Sequence, residues 1–288
     1  MKPAAFDYVR PTTIAEAVSN LAQADGEGKV LAGGQSLIPL LNFRLAAPRV
    51  LVDLNRIAEL SYIRLTEDAI FVGAMTRTRN LERDQALRAA VPLISELTSW
   101  IGHVQIRNRG TVGGSIAHAD PAAELPALAL ALDGTLVVAG RQETRSIPAN
   151  EAFLGFLTTT LEEDEILTEV QLRRPPATAG WGFQEFAPRH GDFALAGAIA
   201  VLTPGLNGEV SEARIVAFGG PDAAIRASGA EQALIGSALS DGAIDEAATV
   251  AAVECLQGDP RADAAYRQQI TKAMIARALR DAASRIQA

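Results

Sequence analysis

The segment Pro175-Pro176-Ala177-Thr178-Ala179-Gly180 constrains the fold of this chain more than any other feature. Two prolines and a glycine among small residues fit poorly into a helix or a strand, because proline lacks an amide hydrogen and glycine loses much entropy when ordered. Short strands alternate with helices before this segment, whereas three strands precede an alanine-rich helical stretch after it. A chain of 288 residues is long enough for two domains. We therefore place the main domain boundary here.

The part before the boundary carries the signals of an α+β domain. Thr13 and Glu16 are spaced as in a capping box, which predicts a short helix beginning at Ile14. Apolar runs predict strands at 29–32, 50–54, 69–74, 134–139 and 166–172. Helices are predicted at 36–43, 78–88, 93–100 and 125–132, and a glycine-punctuated stretch at 106–118 contains a predicted loop at 111–115.

The part after the boundary predicts a small sheet covered by helices. Strands are expected at 181–186, 194–203 and 211–219, and Asn207-Gly208 is a hairpin turn signal between the last two. Helices are expected at 230–239, at 245–256 and from Asp263 onward. This order of elements is typical of a second α+β domain.

Charge and cysteine usage exclude several classes of function. The net charge of −8 argues against nucleic acid and against an anionic membrane surface, which both attract clustered Lys and Arg. The single cysteine, Cys255, cannot hold an iron–sulfur cluster, and the three histidines show no metal-ligand spacing. Any redox carrier is therefore organic or sits on a partner. Residues 1–10 lack the apolar run of a signal peptide, and no stretch approaches 18 uninterrupted apolar residues, so we expect neither secretion nor a membrane span. Because the chain has so little cysteine, we expect a cytoplasmic location.

Two glycine segments are the candidate ligand site. They are Ala32-Gly33-Gly34-Gln35-Ser36 and Thr111-Val112-Gly113-Gly114-Ser115. Glycine allows the backbone to approach a ligand closely, and consecutive free amides in such a segment form an anion-binding concavity. Two such segments could hold a pyrophosphate from both sides, but each could equally be an ordinary turn. Neither segment matches the dinucleotide-binding or P-loop glycine pattern.

The residues around both segments resemble the FAD subunit of molybdenum hydroxylases of the xanthine dehydrogenase and carbon monoxide dehydrogenase type. The similar motifs are AGGQSLIP at 32–39 and RNRGTVGGSIAHADPAAELP at 107–126. Further similar residues are Phe6-Asp7-Tyr8, Gly191-Asp192-Phe193-Ala194, Asp259-Pro260-Arg261 and Tyr266-Arg267. The resemblance therefore extends over essentially the whole chain.

The resemblance implies a fold, a cofactor and partners. The fold is α+β: a two-lobed, PCMH-type FAD-binding domain at 1–177, with lobes of about 1–58 and 59–177, and a smaller domain at 178–288. The cofactor is FAD, and the chain itself supplies no catalytic residue. A large molybdopterin-binding subunit and a small [2Fe–2S] subunit are the expected partners, and the flavin passes their electrons to an external acceptor.

The resemblance also implies roles for individual residues. Both glycine segments contact the FAD diphosphate, and an acidic residue beyond the second binds the ADP ribose, with Glu124 as first choice and Asp120 as second. Asp120 followed by Pro121 could alternatively cap a helix. Leu167 and Phe193 are expected near the flavin, although each could be an ordinary core residue.

One residue departs from the family pattern, and two rival functions stay open. Ala187 stands where many family members carry a lysine, which places charge-based tuning of the flavin in doubt. One rival is a stand-alone FAD-dependent oxidase or reductase of the same superfamily. The other is a non-catalytic nucleotide-binding module.

Overall fold

The computed structural model describes residues 1–220, 222–255 and 262–286. The motif at 259–261 lies outside these residues. The first lobe contains five elements: β1 (Asp7–Val9), α1 (Ile14–Gln23), β2 (Gly28–Leu31), α2 (Leu37–Asn42) and β3 (Val50–Asp53). Its three strands form a parallel sheet in the order β1-β3-β2.

The predicted N-terminal cap of α1 is confirmed. The backbone amide of Glu16 donates to Thr13 Oγ1 over 3.2 Å, and the Glu16 carboxylate accepts from the amide of Thr12 over 2.7 Å. The carboxylate thus reaches one residue further back than a capping box predicts. Ala17, Val18 and Leu21 of α1 belong to the apolar core of this lobe.

The second lobe is built on a five-stranded antiparallel sheet in the order β4-β5-β10-β6-β7, with a separate hairpin of β8 and β9. Its elements are β4 (Ile63–Leu65), β5 (Ala69–Gly73), α3 (Thr78–Arg83), α4 (Gln85–Ala90), α5 (Pro92–Trp100), α6 (Val104–Arg109), α7 (Val112–His118), α8 (Glu124–Ala131), β6 (Thr135–Ala139), β7 (Thr144–Pro148), α9 (Ala149–Ala152), β8 (Phe153–Gly155), β9 (Thr158–Thr159) and β10 (Ile166–Arg173). Every residue of α8 is buried.

The C-terminal domain has a four-stranded antiparallel sheet in the order β11-β12-β13-β14, covered by helices. Its elements are β11 (Gly180–Phe186), β12 (Ala196–Pro204), β13 (Val210–Phe218), β14 (Ile225–Arg226), α10 (Ser228–Leu234), α11 (Asp241–Glu254) and α12 (Ala264–Ser284). The long α12 lies so close to β11 that a Cβ on Gly182 would be 2.7 Å from the carbonyl carbon of Ala278. The hairpin predicted at Asn207-Gly208 is confirmed, since β12 and β13 pair there and Gly208 has φ +77°.

Two predictions about helices are wrong. The single helix expected at 78–88 is divided into α3 and α4, because Asp84 ends the first and caps the second by accepting from the amide of Leu87 over 2.7 Å. The second glycine loop, expected at 111–115, is instead the N-cap and first turn of α7. Packing overrides the low helix propensity of Gly113 and Gly114.

The two domains are joined through Asp133, which lies between α8 and β6. Its carboxylate accepts from Arg214 and Arg226 of the C-terminal domain, each over 2.9 Å. A second link is the backbone amide of Gly219, which donates to the carbonyl oxygen of Pro121 over 2.8 Å. None of the described helices is long and apolar enough to cross a membrane.

Candidate functional site

The first glycine segment runs from the end of β2 to the start of α2. Gly34 has φ +73°, a left-handed conformation that glycine adopts without strain. Within the described residues, no backbone carbonyl accepts from the amides of Gly33, Gly34, Gln35 or Ser36. Four consecutive free amides beside a helix N-terminus form a concavity suited to an anion.

A polar network holds this segment in place. The Asn55 side chain donates to the carbonyl oxygen of Ala32 over 2.9 Å, and Asp53 fixes Asn55 by accepting from its backbone amide over 2.8 Å. Arg77 of the second lobe donates to Asn55 Oδ1 over 2.5 Å and also to the carbonyl oxygen of Arg109. The network therefore ties both lobes to the backbone on either side of the concavity.

The second glycine segment forms the first turn of α7. The Thr111 side chain caps the helix by accepting from the amide of Gly114 over 3.1 Å. The amides of Val112, Gly113 and Ser115 donate to carbonyl oxygens of Thr76, Ala74 and Thr111 over 3.0, 2.8 and 3.1 Å. The expectation that this segment offers free amides is therefore wrong. The side-chain hydroxyl of Ser115, which is half-buried, is its available donor.

The two segments lie side by side. A Cβ on Gly114 would be 3.4 Å from the Cβ of Ala32, and a Cβ on Gly33 would be 2.8 Å from the Cα of Gly110. Gly113 is required for a different reason, since its Cβ would lie 2.5 Å from the Cβ of Ala74 beneath α7. The structure thus brings the two predicted segments together, with the free amides on the first of them.

The acidic residues follow α7 at the edge that meets the C-terminal domain. Asp120 Oδ1 accepts from the amide of Ala122 over 2.8 Å and shapes a turn. The alternative that Asp120 caps a helix is wrong, because α8 begins at Glu124 with Ala123 as its N-cap. Glu124 is only 8% exposed, and burial raises the pKa of its carboxyl to about 7, with the charge of Asp120 adding to the effect.

Comparison with known proteins decides the family. The sequence model of the FAD binding domain in molybdopterin dehydrogenase matches residues 4–175, and that of the CO dehydrogenase flavoprotein C-terminal domain matches residues 181–282. The chain belongs to the family of molybdopterin dehydrogenase FAD-binding subunits. Like its family members it is a subunit of an oxidoreductase, and its larger domain is an FAD-binding domain.

Individual members of this family match over nearly the full chain. Subunit alpha of the 6-hydroxypseudooxynicotine dehydrogenase complex from Paenarthrobacter nicotinovorans is 42% identical, over 99% of this chain and 97% of that protein. The carbon monoxide dehydrogenase medium chain from Hydrogenophaga pseudoflava is 37% identical, over 99% of both. A solved structure of that dehydrogenase, lacking the Mo-pyranopterin moiety of its molybdenum cofactor, superposes with a TM-score of 0.96 at 38% identity, covering 100% of both chains.

The two residues that the family resemblance places near the flavin have opposite environments. Leu167 is 5% exposed and packs in the core of the second lobe, as its alternative interpretation predicted, so a flavin contact stays a prediction. Phe193 is 66% exposed, and its alternative as a core residue is wrong. Just before it, the ring of His190 lies 4.7 Å from that of Trp100 in the FAD-binding domain.

Some residues of the site were not found from the sequence. Asn55 and Arg77 could have been suspected only because polar residues in the loop after a strand often belong to a functional site. Nothing in the sequence pointed to Glu185 on β11, because Gln184 and Glu185 look like the exposed residues of a strand. In the structure Glu185 is 8% exposed, and burial together with the Glu124 charge raises the pKa of its carboxyl to about 8.

Proposed function

We propose that this chain holds FAD across its two glycine segments and serves as the flavin subunit of a multi-subunit molybdenum hydroxylase. Bound FAD supplies the redox chemistry, taking electrons from [2Fe–2S] clusters on a small partner subunit and passing them to an external acceptor. A large partner subunit carries the molybdenum cofactor. The chain itself binds and orients the flavin.

The free amides of Gly33 to Ser36 are the observation that carries this proposal. They donate to the phosphoryl oxygens of the diphosphate, and the Ser115 hydroxyl donates from the opposite side. An anion there would also lie beside the N-terminal end of α2, where the partial charge of the helix is positive. The residues present therefore fit a diphosphate, even though the second segment contributes a hydroxyl instead of amides.

The remaining contacts involve the sugar and the ring. Glu124 accepts from the ADP ribose hydroxyls, because a carboxylate takes two hydrogen bonds from a diol, and Asp120 is the second candidate. Phe193 offers an exposed ring face to the isoalloxazine. A flavin contact is also proposed for Leu167, which lies on β10, a strand that packs against α7.

The proposed partners rest on the relatives and on the chemistry of this chain. The relatives bear names such as complex subunit alpha and medium chain, which describe parts of larger assemblies. Among the described residues, no three His, Cys, Asp or Glu side chains converge as metal ligands. We assign iron and molybdenum to the partner subunits because the family resemblance implies it.

Domain limits and location are also proposals. We propose domains at 1–177 and 178–288, with lobes meeting near residue 58, and the two family matches are consistent with this because they leave only residues 176–180 between them. A single buried cysteine is compatible with a reducing compartment, and we propose the cytoplasm.

Purification of the tagged chain from its native host tests the assignment. We expect a complex with visible flavin absorption, about four irons and about one molybdenum per flavin, and flavin bleaching when the substrate of the complex is added without oxygen. A yellow chain that purifies alone and turns over a small alcohol would instead establish the stand-alone oxidase. A chain that stays colourless after incubation with FAD would favour the nucleotide-binding module.

A further inference from the structure

Arg77 is fixed by its backbone beside the second glycine segment. It pairs with Thr111 in an isolated antiparallel bridge, and the amide of the next residue, Thr78, donates to the carbonyl oxygen of Gly110 over 3.0 Å. Thr111 is the N-cap of α7. The side chain of Arg77 therefore starts from a point that is set relative to the second glycine segment.

From this point the Arg77 side chain reaches the backbone around the first glycine segment. One terminal nitrogen donates to Asn55 Oδ1 over 2.5 Å, and Asn55 in turn donates over 2.9 Å to the carbonyl oxygen of Ala32, the first residue of that segment. The other terminal nitrogen donates to the carbonyl oxygen of Arg109, against which Gly33 packs without room for a Cβ. One planar guanidinium thus binds two acceptors that flank the segment.

Asn55 is held in turn from within the first lobe. The buried carboxylate of Asp53 accepts from the Asn55 backbone amide over 2.8 Å and from its side-chain amide over 2.5 Å, and it also accepts from the Tyr8 hydroxyl. Hydrogen bonds to a charged acceptor are stronger than those between neutral groups. The acceptor of Arg77 in the first lobe is therefore fixed, just as the backbone of Arg77 is fixed in the second lobe.

We propose that Arg77 is a positioning residue for the FAD diphosphate: its guanidinium holds the two glycine segments at the separation at which both reach the phosphoryl oxygens. The inference rests on the proposed binding of FAD across these segments, and it deepens that function by naming a residue that acts through its neighbours. Both terminal nitrogens of Arg77 donate to protein acceptors, so we assign it no contact with phosphate. A site that is already arranged loses less freedom when the cofactor binds, and this raises the affinity.

The test is equilibrium titration of the flavin-free full chain with FAD and, separately, with riboflavin, which has no diphosphate. Arg77→Met keeps an unbranched side chain and removes every donor. We expect it to bind FAD at least ~10-fold more weakly than the wild type and riboflavin within ~3-fold of the wild type.

Arg79→Met is the matched control. Arg79 is a partly buried arginine two residues further along, and its guanidinium pairs with Glu82 over 2.5 Å instead of with the backbone of a glycine segment. Its loss therefore removes an ion pair from the same helix without changing the connection between the segments. We expect Arg79→Met to bind both flavins like the wild type.

A double-mutant cycle tests the connection itself. Asn55→Ala removes the first-lobe acceptor of Arg77 together with the bond to Ala32. Because both substitutions break the same connection, the loss of FAD affinity in the double variant should be at least ~3-fold smaller than the product of the two single losses. Losses that multiply fully would overturn the inference. Asn55 is exposed, and Asn55→Ala should show the same selective loss of FAD, which decides the question if Arg77→Met does not fold.

Phosphorus NMR of bound FAD separates positioning from a general loosening of the fold. The phosphorus resonances should shift in Arg77→Met and keep their wild-type positions in Arg79→Met, while the visible bands of the flavin ring stay unchanged in both. Wild-type FAD affinity and unshifted resonances in Arg77→Met, or an equal loss of FAD and riboflavin affinity, would overturn the inference and leave the glycine segments as the proposed site. A wild-type chain that binds FAD no more tightly than riboflavin would overturn the proposed diphosphate site and this inference together.

Discussion

Gly33 lies directly against the backbone of Gly110, so close that a Cβ on Gly33 would be 2.8 Å from the Gly110 Cα. The contact places the first glycine segment against the residue that directly precedes the second, and we assign both segments to the FAD diphosphate. Because backbone cannot yield as a flexible side chain can, Gly33→Ala should push the segments apart. We predict a loss of FAD affinity of ~100-fold or more and a destabilisation of about 1–3 kcal/mol, measured by FAD titration and thermal unfolding.

Gly242→Ala is the control for this substitution. Gly242 lies near the start of α11, and its added Cβ would meet nothing nearer than Ser240 Oγ at 3.9 Å. Alanine favours a helix over glycine by about 1 kcal/mol, so this variant should keep its FAD affinity and gain slightly in stability. Normal FAD affinity in Gly33→Ala would contradict the assignment of the first segment.

Ser115→Ala tests the second segment. The Ser115 side chain is small and only half-buried, so we expect the thermal stability of the flavin-free protein to be unchanged. The affinity for FAD should fall roughly 10-fold, from the loss of about 1–2 kcal/mol in one hydrogen bond to phosphate. Unchanged affinity would mean that α7 contributes no hydroxyl to the diphosphate site.

Phe193→Ala tests whether the exposed ring serves the flavin. An exposed phenyl ring contributes little to the core, so the melting temperature should stay within about 1 °C of the wild type. Loss of ring stacking worth about 0.5–1.5 kcal/mol should weaken FAD binding ~3- to 10-fold and shift the absorption bands of the bound flavin. Leu206→Ala, in the β12–β13 hairpin, is an exposed control that should change neither property. A spectrum identical to the wild type in Phe193→Ala would remove this residue from the site.

Much of the fold follows from local sequence signals. Thr13 and Glu16 marked the start of α1, Asn207-Gly208 marked the β12–β13 hairpin, and Asp263 does cap α12 by accepting from the amide of Tyr266 over 2.8 Å. These signals succeed because caps and turns are set by a few neighbouring residues. The strands β7, β8 and β9 were missed because they are short and carry no clear alternation.

The site was only partly predictable, because its chemistry depends on packing between segments far apart in the chain. Sequence located both glycine segments, but it did not show that Thr76 and Ala74 occupy the amides of Val112 and Gly113. Nor could it show that Glu185 is buried, since β11 is covered by α5 and α12, which lie far from it in the sequence. Long-range contacts of this kind leave no local periodicity to read.

The raised pKa of Glu185 predicts how the free energy of unfolding depends on pH. In the folded chain the pKa of Glu185 is raised to about 8, from 4.5 for an ordinary glutamate. Between these pH values the folded chain binds more protons than the unfolded chain, so stability falls as pH rises through this window. Glu185→Gln removes that loss. The difference in melting temperature between Glu185→Gln and the wild type should increase by roughly 4–8 °C from pH 5 to pH 8. This corresponds to a change of about 2 kcal/mol in the free energy of unfolding. A difference that is the same at both pH values would show that Glu185 titrates normally.

The ion pairs of Asp133 predict that stability depends on pH in the opposite direction. Despite burial, the hydrogen bonds and charges of Arg214, Arg226 and Arg173 lower the pKa of Asp133 below 3.8, so its stabilisation is present above that pH and is lost as pH falls through the folded-state value. Asp133→Ala should reduce the free energy of unfolding at pH 7 by about 1–2 kcal/mol, because Arg214 and Arg226 each lose one of two carboxylate partners. They keep Glu212 and Glu231 as partners. Glu246→Ala, exposed on α11, is the control and should change it by less than about 0.5 kcal/mol. An equal, small effect of both variants would show that Asp133 does not join the domains.

The most direct test of the proposed diphosphate site compares the binding of FAD and riboflavin by the flavin-free full chain. Riboflavin carries the ring but lacks the diphosphate and the adenosine, so it cannot use the amides of Gly33 to Ser36. We predict that FAD binds at least ~100-fold more tightly than riboflavin and that Gly33→Ala abolishes most of this difference. Equal affinities for the two flavins, or a preference for FAD that survives in Gly33→Ala, would contradict the claim that the glycine segments hold the diphosphate.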